Sequence, residues 1–203
     1  MALVGNDLVS LQDPANQRSP LRTGYIEKCC TEKEQQWLLE QEDKIAAFWQ
    51  LWSGKESAYK IGMKMDEPYH FQPRLLEVDP MGHFPAEKGM VATPFGKVPV
   101  WWMVDPTFIH AIAGVDVARD VLQPAVFPLG NEDESALTHE RLLNGVARFY
   151  KVPRRELSLH WIDQKIPQLC YKSLPMQLDC SMSHDGPWGA FVFTAYAQVK
   201  TLS

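Results

Sequence analysis

The sequence predicts an α+β fold: a pseudo-twofold pair of similar lobes, each a long helix packed on a small, mainly antiparallel sheet. Three observations lead there. Helical periodicity and strand-like alternation take turns along the chain instead of separating into blocks. Each half offers a helix, a strand, a Lys-x-Pro segment (Lys97-Val98-Pro99 and Lys165-Ile166-Pro167) and a closing strand. A polar, proline-bearing stretch over 114–135 stands between the halves and reads as a connector. The lobes are therefore expected at 1–113 and 136–203.

The elements follow in order. Residues 2–9 alternate, with Leu3, Gly5, Asp7 and Val9 on one face and Val4, Asn6 and Leu8 on the other, as a strand requires. A polar loop over 12–23 carries the breakers Pro14 and Pro20. Thr31 and Glu34 have the spacing of a capping box, so a helix should run to about Gln41. The next helix is expected over 43–65, with Ile45, Phe48, Trp49, Trp52, Tyr59 and Met63 as its apolar stripe. Glu56 stands within that stripe, and Lys60 follows one turn later. Strands are expected at 75–78, 97–104 and 108–113, with 82–94 as an irregular insertion. The second lobe should open with a helix over 137–150, preceded by the acidic knot Asn131-Glu132-Asp133-Glu134. Strands then fall at 156–162, 167–172 and 178–183. Asp185-Gly186 signals a hairpin turn, and 189–199 returns as a strand.

Bulk properties exclude several classes. A chain of 203 residues that is 45% hydrophobic and 22% charged can bury a substantial core. A net charge of -5 argues against a general electrostatic grip on nucleic acid. No apolar run approaches a membrane span, and the first residues have neither a basic start nor a long apolar stretch, so no signal peptide is read. Cys29, Cys30, Cys170 and Cys180 form no C-x-x-C pair and no zinc spacing; they read as free thiols in a reducing cytoplasm.

Few residues suggest chemistry. Asp7, alone, reads as a turn or cap aspartate, with a magnesium ligand as the alternative. Glu56 and Lys60, at i and i+4, could be a surface ion pair, but a carboxylate on a tryptophan-bearing stripe needs a charge partner or a metal. Lys55 adds a second positive charge nearby. Ser183 and His184, entering a tight turn, could hold a phosphate together with turn amides, or could belong to a plain hairpin. His70, His83, His110, His139 and His160 follow no ligand spacing and read as incidental. Trp101-Trp102 reads as core or lobe interface.

Together these segments resemble the 4′-phosphopantetheinyl transferase superfamily. Gly5-Asn6-Asp7-Leu8-Val9 looks like its G-x-D-[IL]-[VE] strand, and Trp52-Ser53-Gly54-Lys55-Glu56-Ser57-Ala58-Tyr59-Lys60 like its W-x-x-K-E-[AS]-x-x-K helix. Arg22 to Lys28 and Thr31 to Glu34 match its R-x-x-F-x-x-[KR] and T-x-x-E segments, and Ser181 to Gly186 its S-x-S-H-[DST]-G turn. Arg141-Leu142-Leu143, Val152-Pro153 and Lys165-Ile166-Pro167 are similar to the N-terminal half of the surfactin-type enzymes. Here that half follows the K-E-x-x-x-K helix, so the lobes stand in permuted order, and the first resembles a small holo-acyl-carrier-protein synthase. Val9 stands where the surfactin type has a further acid.

The resemblance implies a magnesium-dependent transfer of 4′-phosphopantetheine from coenzyme A to a serine of an acyl or peptidyl carrier protein, as in fatty acid biosynthesis. Magnesium would sit on Asp7 and Glu56. Lys55, Lys60, Lys165, Ser183 and His184 would hold coenzyme A. Glu56 would be the base, with Lys60 its rival. A cytoplasmic monomer without nucleic-acid or membrane partners is expected. The alternative is a non-catalytic relative that binds coenzyme A or a carrier protein; a third reading is a magnesium-dependent phosphohydrolase.

Overall fold

The computed structural model of the protein describes residues 2–65, 70–130, 133–163 and 165–195. Asn131 and Glu132 of the acidic knot, Gln164 and the end of the closing strand beyond 195 lie outside these residues. The chain begins with β1 (Leu3–Ser10), α1 (Pro14–Arg18), α2 (Tyr25–Cys29), α3 (Glu32–Leu39) and α4 (Lys44–Gly62). Then come β2 (Glu77–Pro80), β3 (Lys88–Thr93), β4 (Gly96–Asp105), β5 (Phe108–Val115), β6 (Leu122–Pro128) and α5 (Glu134–Tyr150). The last elements are β7 (Leu157–Ile162), β8 (Ile166–Tyr171), β9 (Leu174–Pro175), β10 (Cys180–Asp185) and β11 (Trp188–Thr194). The fold is α+β, with all three sheets antiparallel among the described pairings: β1-β5-β4-β3-β2, β10-β11-β6 and β7-β8-β9.

The first sheet is organised by α4. Asp43 caps it by accepting from Ala46 N, and no proline interrupts it. Ala47, Leu51, Ala58 and Ile61 are wholly buried against the sheet, beside Val91, Val100, Ile109 and Ala111. Strand and helix touch at Gly5, where an added Cβ would stand 2.0 Å from Ser57 O. Glycine is what lets β1 run flush against α4.

Three sequence expectations are corrected here. The buried side of α4 is the Lys55 side, while Trp52, Glu56, Tyr59 and Met63 are only half-buried. A helix enclosed on most sides has apolar residues all round, so its periodicity loses direction. Trp52 and Tyr59 pack instead on Phe71, at ring distances of 5.4 and 5.0 Å. The 82–94 segment is not wholly irregular, because 88–93 forms β3 between β2 and β4. The 114–135 stretch is not all connector either, since β6 pairs with β11 in the second sheet.

In the second half, Leu142, Leu143 and Val146 of α5 bury against Phe191 and Phe193 of β11 and Leu157 of β7. Its helix thus serves two three-stranded sheets, where α4 serves one five-stranded sheet.

β1 and β10 run side by side in the same direction and join the halves through side chains. The outward amides of Val4, Asn6, Leu8 and Ser10 donate to Asp179 Oδ2, Ser181 Oγ, Ser183 Oγ and Asp185 Oδ2, at 2.7 to 3.1 Å. Carbonyls along the seam meet two lysines, one in α4 and one just past its end: Lys60 Nζ bonds Asn6 O and Met182 O, and Lys64 Nζ bonds Val4 O and Cys180 O. The outer amides of β1 are therefore satisfied by side chains of β10 instead of a backbone ladder.

Candidate active site

The seam places Asp7 beside α4. Its neighbours in β1 point their amides outward to β10, while Asp7 itself pairs inward with Ala111. Lys60 Nζ lies 3.5 Å from Asp7 Oδ1, and Ser183 Oγ donates to the same oxygen at 3.2 Å. Glu56, one turn before Lys60, comes close enough to feel the charge of Asp7. Burial first, and then Asp7, pushes the Glu56 carboxyl up to about 7, against the pull of Lys60. Burial likewise raises Asp7, opposed by Lys60 and the Ser183 hydroxyl. Two acids facing one partly engaged ammonium leave negative charge unbalanced.

That imbalance tests the site for a cation. The donors are carboxylate oxygens only, which suits a hard ion such as magnesium that keeps several of its waters. Among the described residues no group of three or more His, Cys, Asp and Glu side chains converges, so no site for a fully protein-ligated ion forms there. Asp7 and Glu56 fit an ion held by two protein carboxylates.

Beyond Lys60 the seam opens into a cavity of about 240 Å³, walled by Lys60 of α4, Lys64 just past its end, Lys165 and Pro167 at β8, Trp161 of β7 and His184 of β10. Ser135, Thr138 and His139, in the first turns of α5, complete it. His184 Nδ1 faces Glu134 Oε2 at 3.0 Å, and its Nε2 lies 3.4 Å from Ser135 Oγ. Three lysines line the wall; Lys64 is paired with Asp179, and Lys60 lies 3.5 Å from Asp7.

Of the sequence-derived residues, the fold brings Asp7, Glu56 and Lys60 together and sets Lys165 and His184 along the adjoining cavity. Two belong elsewhere. Lys55 is buried on the far side of α4, where its ammonium donates to Glu34 Oε2 at 2.6 Å, Cys29 O at 2.9 Å and Pro73 O at 2.8 Å. It is wholly buried and takes no part in the cavity wall, so it is no coenzyme A ligand. Ser183 turns toward β1, and its hydroxyl accepts from Leu8 N while donating to Asp7, which leaves it no proton for a phosphate. Two histidines read as incidental lie near this site. His139 lines the cavity, with its ring 5.4 Å from Trp161, and His110 is wholly buried against Asn6, next to Asp7 in the chain. Sequence reasoning missed Lys64, Asp179 and the seam. The signals were present: Lys64 follows Lys60 by one turn, and Asp179, Ser181, Ser183 and Asp185 alternate with period two.

Residues 3–79 match the family described as the 4′-phosphopantetheinyl transferase superfamily. No curated protein matches the chain. Among solved structures, holo-[acyl-carrier-protein] synthase of Thermotoga maritima is similar at 15% identity, covering 86% of this chain and 86% of that one, with a TM-score of 0.43. A likeness that loose carries no argument. The resemblance to the 4′-phosphopantetheinyl transferase superfamily holds over residues 3–79, the stretch that contributes Asp7, Glu56 and Lys60.

Proposed function

We propose that this chain transfers 4′-phosphopantetheine from coenzyme A to a serine of an apo acyl or peptidyl carrier protein and releases adenosine 3′,5′-bisphosphate. The observation that carries the proposal is Asp7 lying 3.5 Å from Lys60, with Glu56 one turn earlier on α4, beside a cleft walled by Lys60, Lys165 and His184. Asp7 and Glu56 would hold magnesium. When bound, the ion would supply charge neutralisation at the coenzyme A pyrophosphate.

The chain's own residues do the rest. The Glu56 carboxylate accepts the proton of the carrier serine, with Lys60 as its rival for that role. The serine oxygen forms a bond to the phosphorus next to pantetheine as the bond from that phosphorus to the bridging oxygen breaks. Lys60 would contact the diphosphate, and Lys165 and His184, which line the same cavity, would hold the 3′-phosphate and adenosine end. Alignment of these groups across the seam accounts for the remaining acceleration. Both cleft walls come from one chain, which supports a monomer. Arg22 borders a groove beside α3, near the exposed Leu21 and Leu39, and with Arg18 and Lys28 gives an acidic carrier a basic approach. The activity is assigned to the cytoplasm, on carriers such as those of fatty acid synthesis.

The test is intact mass. Incubated with coenzyme A and magnesium, several apo carriers are presented, and at least one should gain a single phosphopantetheine arm. Coenzyme A binding without mass gain on any carrier would favour a scaffold. Coenzyme A cleavage without a carrier would favour a hydrolase.

A further inference from the structure

The β1–β10 seam repeats one contact four times, and at one rung the contact is different. Asp179, Ser181, Ser183 and Asp185 each accept an amide from β1. Only the Ser183 rung, among the described residues, also reaches Asp7, through its donated proton to Oδ1 at 3.2 Å. The side chain is buried, and its hydroxyl is tethered at both ends: Leu8 N fixes the oxygen at 3.1 Å, and Asp7 takes the hydrogen. Lys60 approaches the same carboxylate oxygen from α4 while also holding Asn6 O and Met182 O. The aspartate is thus gripped from both lobes.

We propose that Ser183 is a positioning residue for Asp7, its hydroxyl locking the carboxylate in place so that the cation site is completed only when the second lobe is docked on β1. The inference rests on the proposed role of Asp7 as a cation ligand. A carboxylate fixed by an outer partner loses less freedom on binding, and removing such partners weakens metal sites by roughly 10- to 100-fold. It also assigns the residue away from phosphate recognition and onto the joint between lobes.

The test uses Mn²⁺ as the probe, its binding read by the electron paramagnetic resonance of the free ion, with the full chain. Ser183→Ala should weaken Mn²⁺ binding by about 10-fold. Ser183→Thr, which keeps the hydroxyl, should restore it. Ser181→Ala removes an equivalent amide acceptor at the next rung but touches no ligand, and should leave Mn²⁺ affinity unchanged. Should Ser183→Ala fail to fold, Ser183→Cys keeps the volume with a poor donor and should show the same weakening. Equal losses in Ser183→Ala and Ser181→Ala would reduce Ser183 to a rung of the seam and overturn the proposal. Wild-type affinity in the folded Ser183→Ala or Ser183→Cys protein would overturn it too, while wild-type carrier loading left the transferase reading standing. A wild-type protein that neither binds Mn²⁺ nor loads a carrier would remove both.

Discussion

Lys55 and Glu56 are consecutive residues of α4, yet one is paired to completion and the other is not. Lys55 spends its three protons on Glu34, Cys29 O and Pro73 O. Glu34 in turn accepts from Thr31 N, Val78 N and Lys55, closing a buried network that ties α2, α3, α4 and β2 together. Glu56, about 100° further round the helix, feels the charge of Asp7, and Lys60, its compensating charge, is shared with Asp7 and with backbone carbonyls. Satisfied charge inside a protein holds the fold; charge left facing like charge is poised for a ligand.

Replacing each residue should expose that difference. Glu56→Gln should lower kcat for carrier loading by about 10³-fold, within the usual range for a general base. Stability should move the other way in the absence of divalent cations. The Glu56 pKa is raised from 4.5 to about 7, so its contribution is intact below 4.5 and is lost as pH rises through 7. A neutral Gln escapes that loss, and the variant should melt above wild type at pH 8 but not at pH 4. A Glu56→Gln enzyme with near-normal turnover would remove Glu56 from the chemistry.

Lys55→Met should do the reverse. It strands the Glu34 carboxylate in the core, at a cost of about 3–5 kcal/mol in urea unfolding. Adding Glu34→Gln should recover part of that loss, since the orphaned charge goes with it. The molecules that remain folded should load carriers at the wild-type rate. A lysine that instead lost coenzyme A affinity at unchanged stability would return to the binding site.

Much of this was legible in the sequence, unevenly. The capping box at Thr31 and Glu34 is observed as read, although Glu34 proves to be a network hub as well as a cap. Asp7, Glu56 and Lys60 were picked out together only through the family resemblance, since alone Asp7 reads as a turn or cap aspartate and Glu56 and Lys60 as a surface pair. The burial of Lys55 was not legible, because periodicity cannot orient a helix enclosed on most sides. β6 hid behind Pro124 and Pro128, which an edge strand tolerates because its outer amides need no partner. The seam hid because its polar residues, Asp179 to Asp185, satisfy another strand's backbone, a partnership that local patterning does not encode.

The last contrast lies on the other side of β1. His110 of β5 is wholly buried, with Nε2 3.1 Å from Asn6 Nδ2. With Nε2 accepting, Nδ1 carries the proton, and neither it nor Asn6 Oδ1 has a partner among the described residues. Burial, reinforced by Lys60 and Arg119, holds the imidazole pKa down at about 3. Above the ordinary value of 6.5 this costs nothing through titration; as pH falls toward 3, only the unfolded chain takes up the proton and stability drains away. The loss between pH 7 and pH 4 should be about 3 kcal/mol. His110→Gln keeps a polar partner for Asn6 without titrating, so its unfolding free energy should decline less over that interval. Equal declines would mean that His110 finds a proton acceptor when charged. The two groups act in opposite directions: Glu56 drains stability as pH rises, His110 as it falls. Substituting both should therefore flatten the pH–stability curve on each side of its maximum, whereas substituting Lys55 should lower the curve most where the stranded Glu34 carboxyl is ionised and least at low pH, where it takes up a proton.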